Sequence, residues 1–397
     1  MKYFCQIITI VITLFGNSPY ASGSMKQFQD NLEKITHEST ASSTAAIVSG
    51  GKVFKTSSKQ VNDDTQFYID SVTKHMTAYM MLITLHEKYP EAPLKELLNQ
   101  KLNVVFSDSV LLNAIGKDWV SEVSLLDLLT HKSGLTDYIH DYQGGLAVPG
   151  NFDKPVASVK LLKSISFNPE KTYLYSNSNY LLAGKLLEEL HHDTFDHVFE
   201  KLIKAPAGMQ LSFAPVIENY LSLKELPHFS HLTHNSGLHL GNQKYSFIDM
   251  KNAVGTGNAV STANDLAKWG AYLTSKASKE ITDLIFDNYG LDSEGDIINL
   301  GLSTSETDHL GDLIGWRGGQ DSYATFFGWA PKSNTFIIML SNDMADQDKQ
   351  DTDFNLLMGS FISWASEHEK LTSLNIHQEK LVWSWTKKEL FHKIEEW

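Results

Sequence analysis

With 397 residues, 42% of them hydrophobic and 20% charged, the chain has apolar material for a large core and does not have the composition of a disordered polypeptide. Its formal charge of −14 is offset by no basic stripe, so a phosphate backbone is excluded as a partner.

The first stretch, "MKYFCQIITIVITLFGNSPYASG", has a basic start at Lys2, an apolar run from Phe4 to Phe15 and small residues around Ala21 to Gly23. This is a signal-peptide pattern over residues 1–23, too short for a stable membrane span, and it predicts an exported protein, periplasmic or secreted. Cys5 is the only cysteine and stands at the start of the apolar run and not after it, which argues against a lipid anchor. A processed chain would carry neither thiol nor disulfide.

"STAAIVSGGKVFKTSS" then reads as two strands joined by Gly50-Gly51. A helix is expected from Ser71 to about Lys88, ending before Pro90. The middle is mostly helical patches and loops, among them "SEVSLLDLLTHKSG", "NYLLAGKLLEELHHD" and "TANDLAKWGAYLTSKAS". Late in the chain "YATFFGWA" and "TFIIMLSN" are strands, separated by a turn at Pro331-Lys332-Ser333-Asn334, and a last core helix is expected near Phe354–Ser366. No internal repeat or low-complexity linker divides the chain. The expectation is one α/β (α+β) unit over 24–366: an antiparallel sheet built from both termini, flanked by helices, with a mostly helical inserted subdomain over roughly 91–310. Residues 367–397 form a C-terminal extension.

The helix at 71 carries an anomaly, because "SVTK" opens an apolar run with a lysine, among the residues least often buried. On a helix Ser71 and Lys74 share one face, about 5–6 Å apart at Cβ. Burial disfavours an ammonium, so a desolvated Lys74 accepts a proton near neutral pH and can activate a serine hydroxyl. A serine at a helix N-terminus also has its alkoxide stabilised by the helix dipole. Of three S-x-x-K matches, Ser49/Lys52 spans the Gly-Gly turn and Ser384/Lys387 lies in the tail. Only Ser71/Lys74 opens a buried helix.

"YLYSNSNYLLAG" places Tyr175-Ser176-Asn177 before a helix, where the phenol can act as a base and the amide can orient substrate or Lys74. The same composition also suits a surface loop. "GDLIGWRGGQDSYATFF" is a glycine-rich segment entering an edge strand, where a free N–H can complete an oxyanion hole. A bulge would need the same glycines.

In chain order, "SVTK", "LLTHKSGLTDY", "FNPEKTYLYSNSNYLLAG", "KLIKAPAGM", "GNAVSTANDLAKW" and "GWRGG" resemble the serine beta-lactamase-related hydrolases, which include class C beta-lactamases, DD-peptidases and esterases of the same fold. The resemblance covers most of residues 40–345 and implies a beta-lactamase/transpeptidase-like fold. It implies Ser71 as nucleophile, Lys74 as its activating partner, Tyr175 as second base and Asn177 as a substrate-side amide. It further implies backbone N–H groups of Ser71 and Gly319 as the oxyanion hole. S-x-x-K is itself one of the marks of beta-lactamases and penicillin-binding proteins.

The third motif departs from the lactamase pattern: Trp316-Arg317-Gly318 stands where Lys-Thr-Gly or His-x-Gly usually meets a substrate carboxylate. Trp316 looks like the carboxylesterases of this fold, and strand alternation turns Arg317 to the opposite face. The "KSG" at Lys132–Gly134 precedes the tyrosine motif and belongs to the family's "LLTHxSGL" loop. Glu170 and Asn258 replace two common glycines, so both loops are expected to differ in shape.

No G-x-S-x-G elbow and no H-E-x-x-H occurs. His228, His231, His234 and His239 recur at metal-like spacing without a helical pattern to hold them on one face, so surface histidines are expected. The acidic run "DMADQDKQDTD" lacks the calcium-loop glycine and terminal glutamate. Leu390, Phe391, Ile394 and Trp397 in the tail share helical spacing, expected to dock on the protein's own body. The sequence thus points to a serine hydrolase with no metal or cofactor, acting on a small-molecule ester, amide or peptidoglycan-type substrate. Trp316 favours an ester or small amide; a D-Ala-D-Ala peptidase or lactamase, and a non-catalytic scaffold of the same fold, are the alternatives.

Overall fold

The computed structural model describes residues 43–49, 52–57, 61–141, 158–216, 253–307, 311–320 and 323–341. The leader, the histidine cluster at 228–239, the acidic run at 343–353, the helix expected near Phe354–Ser366 and the tail lie outside them.

The strands flanking Gly50-Gly51 form as β1 (Ser43–Ser49) and β2 (Lys52–Ser57), antiparallel with Ser49 opposite Lys52. β1 also pairs with β9 (Thr335–Ser341), Ser43 facing Ser341, so the two ends of the described chain close one sheet. Its order is β2-β1-β9-β8-β7-β6-β5, antiparallel throughout, with β5 Ile297–Ile298, β6 Ser303–Thr307, β7 Gly311–Gln320 and β8 Tyr323–Ala330. Every residue of β9, "TFIIMLS", is buried, so this strand is apolar along its interior instead of alternating. The expected turn at 331–334 joins β8 to β9, with Asn334 in the left-handed region and its N–H donating to Pro331.

The helix at 71 begins two residues later than expected. Asp70 has φ +47°, which suits a tight entry, and Asp70–Val72 makes a 3-10 turn before α1 (Thr73–Lys88). α1 is buried from Thr73 to Leu82 and again at Thr84 and Leu85, almost all round. Such a helix belongs in the middle of a fold, and it breaks at Tyr89, before Pro90. α2 (Leu125–Leu129) starts with a reciprocal capping box between Ser124 and Asp127. α3 (Asn177–His191) packs on α1, and α4 (Ala263–Ser275) covers β1 and β9.

The helical middle was expected to run to about 310, but its last helix is Lys279–Phe286, and from Ile297 the chain already contributes β5 and β6 to the sheet. Short β-rich segments of two and five residues carry too little periodicity to announce themselves. A second small sheet pairs β3 (Phe67–Tyr68) with β4 (Val260–Ser261), tying the approach to Asp70 to the loop at 253–258. No helix among the described residues is long and apolar enough to cross a membrane.

Candidate active site

Ser71 lies in the 3-10 turn, partly exposed, where the chain leaves β3 and enters α1. Two bonds fix the turn's position: Ile69 N donates to the Ala259 carbonyl at 2.9 Å, and Ala259 N donates to Thr73 Oγ1 at 3.3 Å. Lys74, one turn on, is wholly buried; its Nζ donates to Ser71 Oγ at 2.9 Å and to the Thr256 carbonyl at 2.8 Å. Burial lowers its pKa from 10.5 to about 7, against the opposing pull of Asp137 and Asp70.

The Thr256 carbonyl is held in place by its own loop. Gly255 has φ +72°, and a Cβ there would stand 2.7 Å from the Tyr180 carbonyl and 2.9 Å from Gly184 Cα, so α3 and the loop touch backbone to backbone. Asn258 accepts from Gly255 N at 3.0 Å and donates to the Pro215 carbonyl at 3.0 Å. Its side chain thus bonds the loop internally, which a glycine could not do.

Tyr175 Oη lies 2.7 Å from Ser71 Oγ, and Lys74 Nζ sits 5.0 Å from the centre of its ring. Two rings lie against it: Trp316 stacks on it at 5.8 Å and 15°, and His131 lies at 4.5 Å. Burial pushes the phenol well above the ordinary tyrosine value, with hydrogen bonding to Ser71 and Trp316 pulling the other way. In the free site the phenol therefore keeps its proton, and the group beside Ser71 that burial brings to titrate near neutral pH is the Lys74 amine. His131 is held neutral by burial and by Lys74. Its Nδ1 accepts from Ser176 N and faces Asn179 Nδ2, both at 3.2 Å, which leaves the proton on Nε2.

Asn177 opens α3. Its side-chain Nδ2 donates to Asp137 Oδ2 at 2.8 Å and its backbone N–H donates to the same oxygen at 3.0 Å. Asp137 was not among the sequence candidates. It stands in "LLTHKSGLTDY", and only folding brings it to the start of α3.

β7 crosses the 3-10 turn that carries Ser71. It was expected as an edge strand, but β6 pairs with it from Gly311 to Gly315, and only Trp316–Gln320 is left with one strand partner, β8. Trp316 and Gly318 are buried on one face, and Arg317 is partly exposed on the other. A Cβ at Gly318 would lie 2.3 Å from the Ile69 carbonyl and 2.9 Å from Asp70 Cβ, so glycine is what allows the strand to pass over the turn. Gly319, next along, is exposed. Ser71, Lys74, Tyr175, Trp316 and Gly318 thus converge, with Asn177 and Gly319 on the adjoining segments.

The sequence profile described as "Beta-lactamase" matches residues 28–358. The chain belongs to the beta-lactamase family. The unguisins hydrolase ungD' of Aspergillus campestris is 28% identical over 229 residues, 55% of this chain and 39% of that protein. A second unguisins hydrolase, from Aspergillus violaceofuscus, is 28% identical over 178 residues, 43% of this chain and 28% of that protein. The chain therefore matches well under half the length of these relatives. Among solved structures, D-amino acid amidase from Ochrobactrum anthropi SV3 superposes with TM-score 0.63 at 15% identity, over 84% of this chain and 99% of that one. A class C beta lactamase does so with TM-score 0.62 at 14% identity, over 86% and 98%. These two likenesses are of fold.

Within this beta-lactamase-family fold the other S-x-x-K serine described, Ser49, faces the sheet interior and accepts from Thr335 Oγ1 at 2.8 Å. Ser133 of the "KSG" loop donates to Asn179 Oδ1 at 2.5 Å, so it braces α3. Glu170 is exposed in a turn whose left-handed residue is the next one, Lys171. A small pocket opens beside the site, lined by His131, Tyr173, Asp292, Leu302, Ser303 and Trp316 among others. Among the described residues no group of three or more His, Cys, Asp or Glu is placed to hold a metal ion.

Proposed function

We propose that this beta-lactamase-family hydrolase is an exported serine enzyme that cleaves an uncharged ester or small amide through an acyl-enzyme on Ser71. The observation that carries the reading is the triangle of Ser71 Oγ, Lys74 Nζ and Tyr175 Oη, with sides of 2.9 and 2.7 Å meeting at the serine. As Ser71 Oγ attacks the carbonyl carbon, its proton passes to the neutral Lys74 amine. The oxyanion forms towards the backbone N–H groups of Ser71 and Gly319. The proton returns, by way of Lys74 and the Tyr175 hydroxyl, to the departing alcohol or amine. Water then attacks the acyl-enzyme by the same route in reverse.

The substrate class rests on Trp316. It stands, buried, at the position of the Lys-Thr-Gly or His-x-Gly motif in the lactamase pattern, and it packs on Tyr175. A carboxylate left there without donors would cost several kcal/mol of desolvation, on the order of 2–7 kcal/mol even for a neutral polar group. The names of the relatives, unguisins hydrolases and a D-amino acid amidase, favour keeping amides beside esters. Export rests on the leader pattern at Lys2 and Phe4–Phe15.

The test is covalent labelling with a fluorophosphonate in parallel with a fluorescent penicillin, followed by mapping of the labelled peptide. Fluorophosphonate on Ser71 with weak penicillin uptake supports the reading. Strong penicillin uptake on Ser71 would move it to D-alanyl peptides or beta-lactams, and no label with either would leave a non-catalytic protein.

A further inference from the structure

The loop at 133–139 and the start of α3 are fastened together more densely than a helix cap requires. Tyr138 N donates to Ser178 Oγ at 2.8 Å, and the Thr136 carbonyl accepts from Ser178 Oγ at 2.6 Å and Ser176 Oγ at 3.1 Å. At the centre is Asp137. Oδ1 accepts from Ile139 N at 3.0 Å, and Oδ2 accepts both the backbone and the side-chain nitrogen of Asn177. Ser176, the residue ahead of α3, makes no side-chain cap of its own, so the helix takes its cap from Asp137, about forty positions earlier in the chain.

We propose that Asp137 is a positioning residue for the hydrolytic site: its carboxylate locks the Asn177 amide towards substrate and places a negative charge on the Lys74 side of the site. The proposal rests on the reading of Ser71 and Lys74 given above. A carboxylate only accepts, so it fixes the nitrogen end of the Asn177 amide against itself. The Asn177 carbonyl and one N–H are left to face a bound acyl group. Capping a helix needs only the backbone bond, and a serine or asparagine would serve for it. The additional bond to Nδ2 and the full negative charge are what a cap does not require.

The charge acts on a small set of groups. Facing Lys74 are Asp70 from the turn that carries Ser71, Tyr175 from the segment entering α3, Tyr180 from α3 itself, and His131 from the loop after α2. Both phenols are pushed up by burial and keep their protons, and His131 is held neutral. Tyr138, beside Asp137 on its own segment, is likewise pushed up. The charges left to oppose the desolvation of Lys74 are those of Asp137 and Asp70. Without Asp137 the amine would be deprotonated at lower pH and would be a weaker base when it accepts the Ser71 proton.

The experiment measures the rate of fluorophosphonate labelling of Ser71 against pH in the full chain, a readout independent of the natural substrate, together with kcat/KM on a chromogenic ester. D137N keeps an acceptor for Asn177 and removes the charge. Its acid limb should move to lower pH by about one unit. D137E keeps the charge on a longer arm. Its acid limb should stay with wild type while its plateau kcat/KM falls about tenfold or more, because Asn177 is misplaced. D137A should show both changes, and it carries the limb shift if D137N fails to fold. A limb that superimposes on wild type in D137N and D137A, or a wild-type plateau in D137E and D137A, overturns the proposal. Wild-type protein that takes up no label at Ser71 overturns the nucleophile assignment with it, so the two failures are told apart.

Discussion

Lys74 Nζ and Ser71 Oγ stand 2.9 Å apart with the lysine fully enclosed, a separation at which a proton can be shared and a burial at which it is readily given up. That pairing is what distinguishes Ser71 from the other S-x-x-K serine in the described chain. Ser49 hydrogen-bonds inside the sheet, to Thr335.

Ser71→Ala is therefore expected to abolish covalent labelling by a fluorophosphonate, and Ser49→Ala and Ser384→Ala are expected to leave it intact. Gel fluorescence of the three purified variants decides the matter, and undiminished labelling of Ser71→Ala would sink the assignment.

Lys74→Arg keeps the charge and loses the chemistry. Guanidinium does not release its proton at any working pH, so turnover of a p-nitrophenyl ester should drop about a hundredfold or more. In wild type, kcat/KM should rise with pH through about 7 as the buried amine loses its proton. Near wild-type turnover by Lys74→Arg would make the lysine a structural cation.

The same burial has a thermodynamic consequence. The folded-state pKa of Lys74 lies below its unfolded value, so the unfolded chain binds the proton more tightly and folding is penalised wherever Lys74 would be charged. A drop from 10.5 to about 7 is on the order of 5 kcal/mol, fully present below about pH 7 and fading as pH rises towards 10.5. Lys74→Met relieves it and loses two hydrogen bonds, about 1 kcal/mol each. A net gain of about 3 kcal/mol at acid pH is expected, shrinking at alkaline pH. Denaturant unfolding at both ends of that window reads it directly, and a variant less stable than wild type at acid pH would contradict the buried-amine account.

Trp316 predicts selectivity. Wild type should cleave p-nitrophenyl acetate or butyrate with higher kcat/KM than nitrocefin, and Trp316→Lys should narrow or reverse that ratio by supplying the cation of the Lys-Thr-Gly pattern. Both substrates are compared within one preparation, so partial misfolding cancels. A wild-type preference for nitrocefin, or a ratio unmoved by the substitution, would favour the lactam or D-alanyl peptide reading.

Local patterns in the sequence carried the parts of this site that are local in space. Ser71 and Lys74 are three residues apart, and the strands around Gly50-Gly51 and at 323–341 alternate or run apolar over enough residues to be read. Asp137 escaped because its partner, Asn177, is forty positions away and nothing in "GLTDY" signals a cap for a distant helix. The acceptor for Lys74 at Thr256 is a backbone carbonyl, and a carbonyl has no sequence signature. The state of β7 was misjudged because whether a strand lies at an edge depends on where its neighbour stops. Here β6 leaves it after Gly315.

The sheet is closed by residues near opposite ends of the described chain, Ser43 and Ser341, which also share a side-chain hydrogen bond across 298 positions. On a ribosome the turn at Ser71 and α1 would emerge long before β7, so a nascent chain carries Ser71 and Lys74 without the strand that passes over them. Contacts of such separation form slowly, because the chain between them must be gathered first. Hydrolytic competence should therefore arrive in one step, only once β9 has been made, and truncation inside β9 should silence an otherwise intact triangle of Ser71, Lys74 and Tyr175.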